Sequence, residues 1–186
     1  PGGVPSSAFA AAQSVTAAAA SPYEKALALQ NWFRTQFTYD DHVQLGNSYD
    51  AIDEFLRVKR GFCQQFAGTF AVMARQLGIP ARVAVGFTPG DRGSDGMFHV
   101  YGRHAHAWPE VWFDGIGWVA FEPTPGRGNA DTETYTGAPA QQQAPDNSPT
   151  GNTVVSPSSV ANPNGPTTNP TLLHLDHVHV SYKDSP

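Results

Sequence analysis

Three residues of this 186-residue chain have side chains suited to nucleophilic catalysis: Cys63, His106 and Glu122. A thiol attacks a carbonyl carbon as its thiolate, a form that a helix N-terminus or a nearby imidazolium favours. An imidazole can take the thiol proton and later deliver it to a leaving group, and a carboxylate can fix the tautomer of that imidazole. These residue types therefore suit acyl chemistry, provided that the fold brings them together.

The residues around Cys63 predict a buried helix with the cysteine in its first turn. An apolar stripe recurs at helical spacing and ends before Gly78 and Pro80: Phe62, Phe66, Phe70, Met73 and Leu77. Cys63 lies to one side of this stripe, where the unpaired amides of the first turn are candidate oxyanion donors. Because the chain has a single cysteine, no internal disulfide can form. The alternative role for Cys63 is that of a small buried hydrophobe.

His106 and Glu122 fall in two segments that predict neighbouring strands. Alternation puts His106 on one face of the first strand together with Trp108, Glu110 and Trp112. Glu122 shares a face of the next strand with Trp118 and Ala120, and a hairpin across Asp114 and Gly115 would pair the two strands. A structural role for His106 and an exposed position for Glu122 at the strand end remain the alternatives.

The other elements predict an α+β fold in which helices precede an antiparallel sheet. Ser21 and Glu24 form a capping box before a helix from 22 to about 37, and a weak helix is expected within 6–20. A short helix covers 50–58. The expected strands are 83–87, 97–101, 105–113 and 116–121, with Val83, Val85 and Phe87 as the apolar side of a half-buried strand. Pro109 removes one ladder donor and predicts an edge or a bulge.

Composition predicts where the folded domain begins and ends. All eleven Phe and all four Trp lie at or before Phe121, so the core is expected to end nearby. Residues 126–170 are dominated by Pro, Gly, Asn, Thr, Ser and Gln, a composition typical of a disordered linker. The predicted organisation is an N-terminal extension or weak helix at 1–20, a catalytic domain at 21–125, the linker at 126–170 and a short C-terminal segment at 171–186.

Three ordered motifs resemble the bacterial transglutaminase-like superfamily. They are GFCQQFAGTFAVMARQLGIPARVAVGF at 61–87, HAWPEVWF at 106–113 and GWVAFEPTPG at 117–126. The resemblance covers about a hundred residues and implies a papain-like core, with the cysteine helix packed on an antiparallel sheet. It implies that Cys63 forms a thioester with a protein or peptide carboxamide, that His106 acts as base and then acid, and that Glu122 orients His106.

The predicted substrate or oxyanion contacts surround this site: Gly61, Phe62, Gln64, Trp108 and Trp118. Two positions depart from the family pattern. Glu122 stands where Asp is commonest, and His104 stands where relatives often carry Asp before the AHAW motif.

Other functions stay open. Transfer of the acyl group to an amine and hydrolysis as a peptidase or amidase use the same residues, and a catalytically silent peptide- or cell-wall-binding module is the non-enzymatic alternative. A metal site at His99, His104, His106 and Glu110 lacks a recognised ligand spacing, so neither metal nor cofactor is expected. The three tail histidines 174, 177 and 179 are a weaker candidate.

Charge and hydropathy limit the partners and the location. The net charge of −5 and the unclustered basic residues argue against nucleic acid, and no apolar run is long enough to span a membrane. The expected partner is a protein or peptide substrate, for example in the cell envelope. The resemblance implies an extracytoplasmic domain of a larger membrane-anchored bacterial protein; a cytoplasmic enzyme is the alternative.

Overall fold

The computed structural model describes residues 5–45, 49–142 and the backbone of 180–183. Within these residues the chain forms five helices: α1 (Ser6–Val15), α2 (Pro22–Gln36), α3 (Tyr49–Val58), α4 (Cys63–Gln76) and α5 (Ala130–Thr136). The same residues form eight strands: β1 (Thr38–Tyr39), β2 (Arg60–Gly61), β3 (Ala81–Phe87), β4 (Asp91–Arg92), β5 (Met97–Val100), β6 (Ala105–Phe113), β7 (Gly117–Ala120) and β8 (Val180–Lys183). A short 3₁₀ turn at Gly102–His104 precedes β6.

The main sheet is antiparallel in the order β3-β6-β7, and α4 packs mainly against its central strand. A smaller antiparallel sheet contains β4, β5 and β8, while β1 and β2 form a short parallel pair. This mixture of helices and sheet confirms the predicted α+β class. The predicted hairpin is also present, because Glu110 pairs with Ala120 and Phe113 with Gly117.

Aromatic side chains fill the space between the helices. Phe33, Phe37, Phe55 and Phe66 are buried and lie within about 6 Å of one another, centroid to centroid. Burying side chains of this size supplies a large share of the hydrophobic stabilisation of a core. The cluster joins α2, α3 and α4 and thereby fixes the position of the helix that begins at Cys63.

Local sequence predicted the start of α2 correctly but not the packing of α1. The capping box at Ser21 and Glu24 is present, with the Glu24 amide 3.2 Å from Ser21 Oγ. Helix α1 was expected to have little to bury, but Ala8 and Ala12 are fully buried and α1 packs against α4. Alanine lets two helices approach closely, so this stripe of small residues belongs to the core, and the domain begins before residue 21.

The prediction that one apolar side of β3 is buried is wrong for most of the strand. Val83, Val85 and Phe87 are 42%, 81% and 38% exposed, whereas Ala81 at the start of the strand is buried. The strand lies at the sheet edge and α4 covers mainly β6, so most of the apolar side of β3 remains uncovered. Alternation predicted the strand correctly but could not predict which side is covered.

Pro109 lies in the central strand and not at an edge. Its carbonyl accepts the Phe121 amide at 2.9 Å, so its ring nitrogen faces the same side, just beyond the end of the β6-β7 ladder. The missing donor is tolerated there because no ladder partner follows.

Residues 126–142 differ from the linker predicted to begin at position 126. This segment forms α5 and packs on the domain: Ala138 is buried, and the Tyr135 hydroxyl donates to the Ala120 carbonyl at 2.9 Å. Arg127 donates to the carbonyls of Arg103 and Gln142. Polar composition was misleading because these residues are held by hydrogen bonds to the domain and not by large apolar side chains. Residues 143–170 of the predicted linker lie outside the described residues.

Candidate active site

Cys63 is the first residue of α4, as the sequence predicted. The intrahelical bonds begin with the amides of Gln65 and Phe66, which donate to the Phe62 carbonyl at 3.0 and 3.3 Å. The amides of Cys63 and Gln64 precede these bonds and are the candidate oxyanion donors. Cys63 is partly accessible to solvent.

His106 and Glu122 form a buried pair. His106 Nε2 lies 2.6 Å from Glu122 Oε2, and the two side chains are 4% and 6% exposed. The other carboxylate oxygen, Oε1, accepts the Thr124 amide at 3.0 Å. A short contact with a buried carboxylate holds the ring in one orientation. The expected reach of Glu122 to the face of His106 is therefore observed.

The second ring nitrogen of His106 is the one available for chemistry. Nδ1 is buried and has no hydrogen bond of ordinary geometry among the described residues. Burial by itself lowers the pKa of His106, but interactions with Cys63 and with the Glu122 carboxylate outweigh it and raise the pKa to about 9. The imidazolium is thus stabilised beside the thiol, which is the charge arrangement that a cysteine nucleophile requires.

Two side chains of α2 hold the backbone that carries Glu122. Gln30 is fully buried; its Oε1 accepts the Glu122 amide at 2.9 Å and its Nε2 donates to the Thr136 carbonyl at 3.2 Å. Arg34 donates to the carbonyls of Glu122, Thr124 and Arg127 at 3.1, 2.8 and 2.8 Å. Burial lowers the pKa of Arg34, and the charge of Glu122 opposes that shift. These contacts fix the position of the carboxylate.

The sequence analysis did not single out Gln30 or Arg34. A signal was present for Gln30, because it follows Leu29 on the side of α2 that Ala26 and Phe33 also occupy, and a polar residue on a buried side needs partners. No local pattern identifies those partners, which lie about ninety residues away in the chain.

Tyr39 is a further neighbour of Cys63. Its strand pairs with the segment that leads into α4, with Tyr39 opposite Gly61. Burial raises the pKa of Tyr39, and so does the charge of Cys63, while the Arg127 guanidinium lowers it. The Arg127 guanidinium lies 5.8 Å from the centroid of the Tyr39 ring. The Tyr39 hydroxyl is therefore a polar neighbour of the Cys63 thiol at the start of α4.

The five predicted contact residues lie in different surroundings. Trp108 stacks on His106, with ring centroids 6.0 Å apart, whereas Trp118 lies farther along the sheet against Trp112 and Arg82. Gly61 is buried, and a Cβ at that position would lie 2.9 Å from Phe55, so packing alone requires the glycine. The Phe62 amide donates to Gln65 Oε1 at 3.2 Å.

Among these five residues, Trp108 is the one whose side chain contacts His106, and substrate contact by any of the five stays a prediction.

The histidines of the alternative metal site are dispersed. His99 contacts Asp95, His106 contacts Glu122, and His104 lies with Nε2 3.5 Å from Asp91 while its Nδ1 accepts the Tyr101 amide at 2.9 Å. Elsewhere among the described residues, ligand atoms of Asp40, Asp41 and His42 lie within 4.8 Å of one another. Asp41 and His42 are exposed, and the half-buried Asp40 pairs with Arg60. Tail histidines 174, 177 and 179 lie outside the described residues.

The geometry can be compared with known families. A family model described as the transglutaminase-like superfamily matches residues 10–123, which is more than half of the chain. This chain belongs to the transglutaminase-like superfamily. The match begins within α1 and ends just after Glu122, so it covers the cysteine helix, the histidine strand and the candidate acid.

Two curated relatives are similar over part of their length. The chain is 36% identical over 113 residues to the uncharacterized protein YebA of Bacillus subtilis (strain 168), covering 56% of this chain and 15% of YebA. It is 40% identical over 77 residues to a protein-glutamine gamma-glutamyltransferase of Pseudomonas aeruginosa, covering 40% of this chain and 12% of that protein. The chain therefore spans only a small part of these relatives.

Solved structures support the same fold. The periplasmic domain of TgpA from Pseudomonas aeruginosa is 31% identical with a TM-score of 0.57, over 66% of this chain and 43% of that one. A candidate cysteine protease from Cytophaga hutchinsonii, at 23% identity and a TM-score of 0.50, shares the fold. The papain-like, transglutaminase-like architecture predicted from the motifs is confirmed. Among the described residues, no helix combines the length and apolar character needed to cross a membrane.

Proposed function

We propose that this domain catalyses cysteine-dependent acyl transfer from protein or peptide carboxamides. The main support is the 2.6 Å contact between His106 and Glu122, which leaves the buried Nδ1 of His106 as the ring nitrogen available to the thiol of Cys63. The name of the Pseudomonas relative, a protein-glutamine gamma-glutamyltransferase, suggests a glutamine carboxamide as the acyl donor. The chain shares only part of that protein, so the donor belongs to the proposal.

The proposed reaction proceeds through a thioester. Cys63 Sγ attacks the carboxamide carbon, a C–S bond forms, the C–N bond breaks, and His106 delivers the thiol proton to the departing ammonia. An amine then attacks the thioester carbon; a C–N bond forms, the C–S bond breaks, and a proton returns through His106 to sulfur. With water as the nucleophile the same residues hydrolyse the acyl group, which is the peptidase or amidase alternative.

Localisation belongs to this proposal as well. We place the domain on the extracytoplasmic side of a bacterial membrane as part of a larger anchored protein, with a cell-envelope protein or peptide as substrate. Support comes from the similarity to a periplasmic domain and from the small share of the curated relatives that the chain spans. Fractionation of the native protein, followed by protease accessibility in spheroplasts, tests this location.

The activity test uses a glutamine-containing peptide and monodansylcadaverine, with Cys63→Ala as the control. Mass spectrometry distinguishes an amine-modified peptide from a deamidated or cleaved one, and an ammonia assay follows the first step. Amine incorporation with ammonia release supports transfer. Deamidation or cleavage without incorporation identifies a hydrolase. If Cys63 forms no acyl-enzyme with any peptide of a diverse glutamine library, the binding-module alternative replaces the proposal.

A further inference from the structure

Arg127 is a buried arginine whose charge has no carboxylate partner. It is 8% exposed, and the ion pairs that arginines form among the described residues do not include it. Its guanidinium donates to the carbonyls of Arg103 and Gln142, while its Nε is buried without a hydrogen-bond partner among the described residues. A buried cation is costly unless neighbouring groups compensate for the lost water. The position of Arg127 therefore needs a reason beyond packing.

The segment that carries Arg127 is held in place at both of its ends. Gly128 and Gln141 exchange backbone hydrogen bonds at 2.8 and 3.2 Å. The side chain of Gln142 bonds both the amide and the carbonyl of Gly90, at 2.6 and 2.7 Å. These contacts fix the guanidinium before any interaction with the catalytic residues is considered.

Tyr39 is the side chain that connects Arg127 with the nucleophile. The guanidinium carbon lies 5.8 Å from the centroid of the Tyr39 ring. Tyr39 pairs with Gly61 in the β1-β2 ladder, and the Asp40 amide donates to the Gly61 carbonyl at 2.7 Å. Because Cys63 follows Gly61 by two residues, this ladder holds the tyrosine at the start of α4. Arg127 and Cys63 are thus both neighbours of one phenol.

The chemistry of these groups sets the direction of their hydrogen bonds. A guanidinium can only donate, so the Tyr39 oxygen accepts from Arg127 and its own proton is left for another acceptor. Burial raises the pKa of Tyr39, the charge of Cys63 and, less strongly, that of Asp41 act in the same sense, and Arg127 opposes them in part. The phenol therefore keeps its proton at neutral pH. A thiolate is the acceptor that such a donor would stabilise most.

We propose that Arg127 is a positioning residue of the active site, which orients the Tyr39 hydroxyl to donate a hydrogen bond to Cys63 Sγ and to stabilise the thiolate. The proposal rests on the role of Cys63 as nucleophile in the proposed function. His106 then acts on the sulfur from β6, and Tyr39 acts on it from β1. Arg127 lies beyond residues 10–123, which the family model matches, so the segment after the shared core takes part in the site.

Alkylation of Cys63 by iodoacetamide, followed from pH 4 to 9 in the full chain, tests the hydrogen bond without an acyl substrate. The thiolate is the reacting form, so the pH midpoint of the rate reports how well the site stabilises it. Tyr39→Phe removes the hydroxyl and keeps the ring, and the midpoint should rise by about one pH unit, as expected for a lost hydrogen bond to a charged group. Arg127→Gln should produce a smaller rise, and Arg127→Lys should restore part of it.

Tyr23→Phe is the matched control for the loss of a tyrosine hydroxyl. The Tyr23 hydroxyl donates to the Tyr135 carbonyl, so the variant loses a bond to the same C-terminal segment without touching Cys63. Its alkylation midpoint should stay at the wild-type value. An unchanged midpoint in Tyr39→Phe, or the same shift in Tyr39→Phe and Tyr23→Phe, overturns the proposal.

A double-mutant cycle tests whether Arg127 acts through Tyr39. If it does, Arg127→Gln adds little to the shift already present in Tyr39→Phe; fully additive shifts overturn this part of the proposal. Arg127→Lys replaces Arg127→Gln in the cycle if the glutamine variant does not fold. An arginine variant that melts at lower temperature but alkylates as the wild type does shows that Arg127 is only structural, and contradicts the proposal.

The same profiles distinguish this proposal from the proposed function. A raised midpoint in Tyr39→Phe supports the hydrogen bond even if the chain transfers no acyl group to any amine. A raised midpoint in His106→Ala with none in Tyr39→Phe leaves the proposed nucleophile and base in place and overturns the role of Tyr39 and Arg127.

Discussion

His104 and His106 lie two residues apart at the start of the central strand, and both side chains are almost fully buried. Their surroundings shift the two pKa values in opposite directions. Burial lowers the pKa of His104, and the opposing charge of Asp91, 3.5 Å away, does not compensate for it. Burial also acts on His106, but Cys63 and Glu122 raise its pKa to about 9.

The two pKa shifts differ because Asp91 and Glu122 differ in exposure and in their other contacts. Asp91 is half exposed and already pairs with Arg103, so it stabilises a charge on His104 only weakly. Glu122 is buried, lies 2.6 Å from the ring and is held by Gln30 and Arg34 through its backbone. A buried, oriented carboxylate thus favours the charged form of its histidine, whereas an exposed and shared one does not offset the effect of burial.

Replacing each histidine by alanine tests this comparison and has the largest expected effect on activity. His106→Ala is expected to lower the rate of acyl transfer or hydrolysis by about 10³-fold to 10⁴-fold, because the base is lost. It should also slow alkylation of Cys63 by iodoacetamide at neutral pH. His104→Ala should change both rates by less than about tenfold, while it costs about 1–3 kcal/mol of stability because the Tyr101 amide loses its buried acceptor.

Melting temperatures distinguish chemistry from folding in these two variants. If His106→Ala and His104→Ala lose similar stability and similar activity, His106 is structural and the assignment fails. Unchanged alkylation in His106→Ala would lead to the same conclusion.

The next effect concerns the carboxylate. Glu122→Ala should lower activity by about 10²-fold to 10³-fold, less than His106→Ala, because the acid orients the base without handling the substrate proton. Glu122→Asp should recover part of the loss, since aspartate is the commoner residue of the family. Steady-state rates of the three variants test the ranking; a loss larger for Glu122→Ala than for His106→Ala, in folded proteins, would contradict it.

A smaller effect is expected from the residues that position Glu122. Gln30→Ala removes the acceptor of the Glu122 amide and the donor to Thr136, and should lower activity roughly tenfold by loosening the carboxylate. A structural role alone would not change the titration of His106, so the second readout is the NMR titration of that ring, which should move to lower pH. Thr35→Ala, an exposed change on the same helix, is the control and should leave both unchanged.

The last effect concerns stability and not activity: the free energy of unfolding should depend on pH. The raised pKa of His106 stabilises the fold fully below about pH 6.5, and this contribution is lost as pH rises through about 9. The lowered pKa of His104 acts in the opposite sense, so its contribution is present above about 6.5 and is lost at lower pH. For His106 the shift sets an upper limit of about 3 kcal/mol, at about 1.4 kcal/mol per pKa unit.

Denaturant titrations from pH 5 to 10 test these signs. His106→Gln should flatten the alkaline side of the profile, and His104→Gln the acidic side. Histidine NMR titrations of the wild type provide an independent check, and two ordinary midpoints near 6.5 would remove the distinction between the two rings.

Much of the candidate site could be predicted because its spacing is local. A stripe every three or four residues put Cys63 at the start of a helix, and strand parity put His106, Trp108 and Glu110 on one face. The hairpin then brought Glu122 within reach. Prediction failed where burial depends on distant elements: the sides of β3, the small core stripe of α1 and the folded segment after residue 125.

The sequence by itself determined the elements, the order of the three motifs and the side chains that could perform acyl chemistry. These properties follow from periodicity and residue type over a few turns or strands. Only the tertiary structure decided that Gln30 and Arg34 position the acid, that the segment after residue 125 folds onto the domain, and that His104 and His106 differ in charge preference. Hydrogen-bond partners and desolvation are set by groups far apart in the chain, and local patterns carry no record of them.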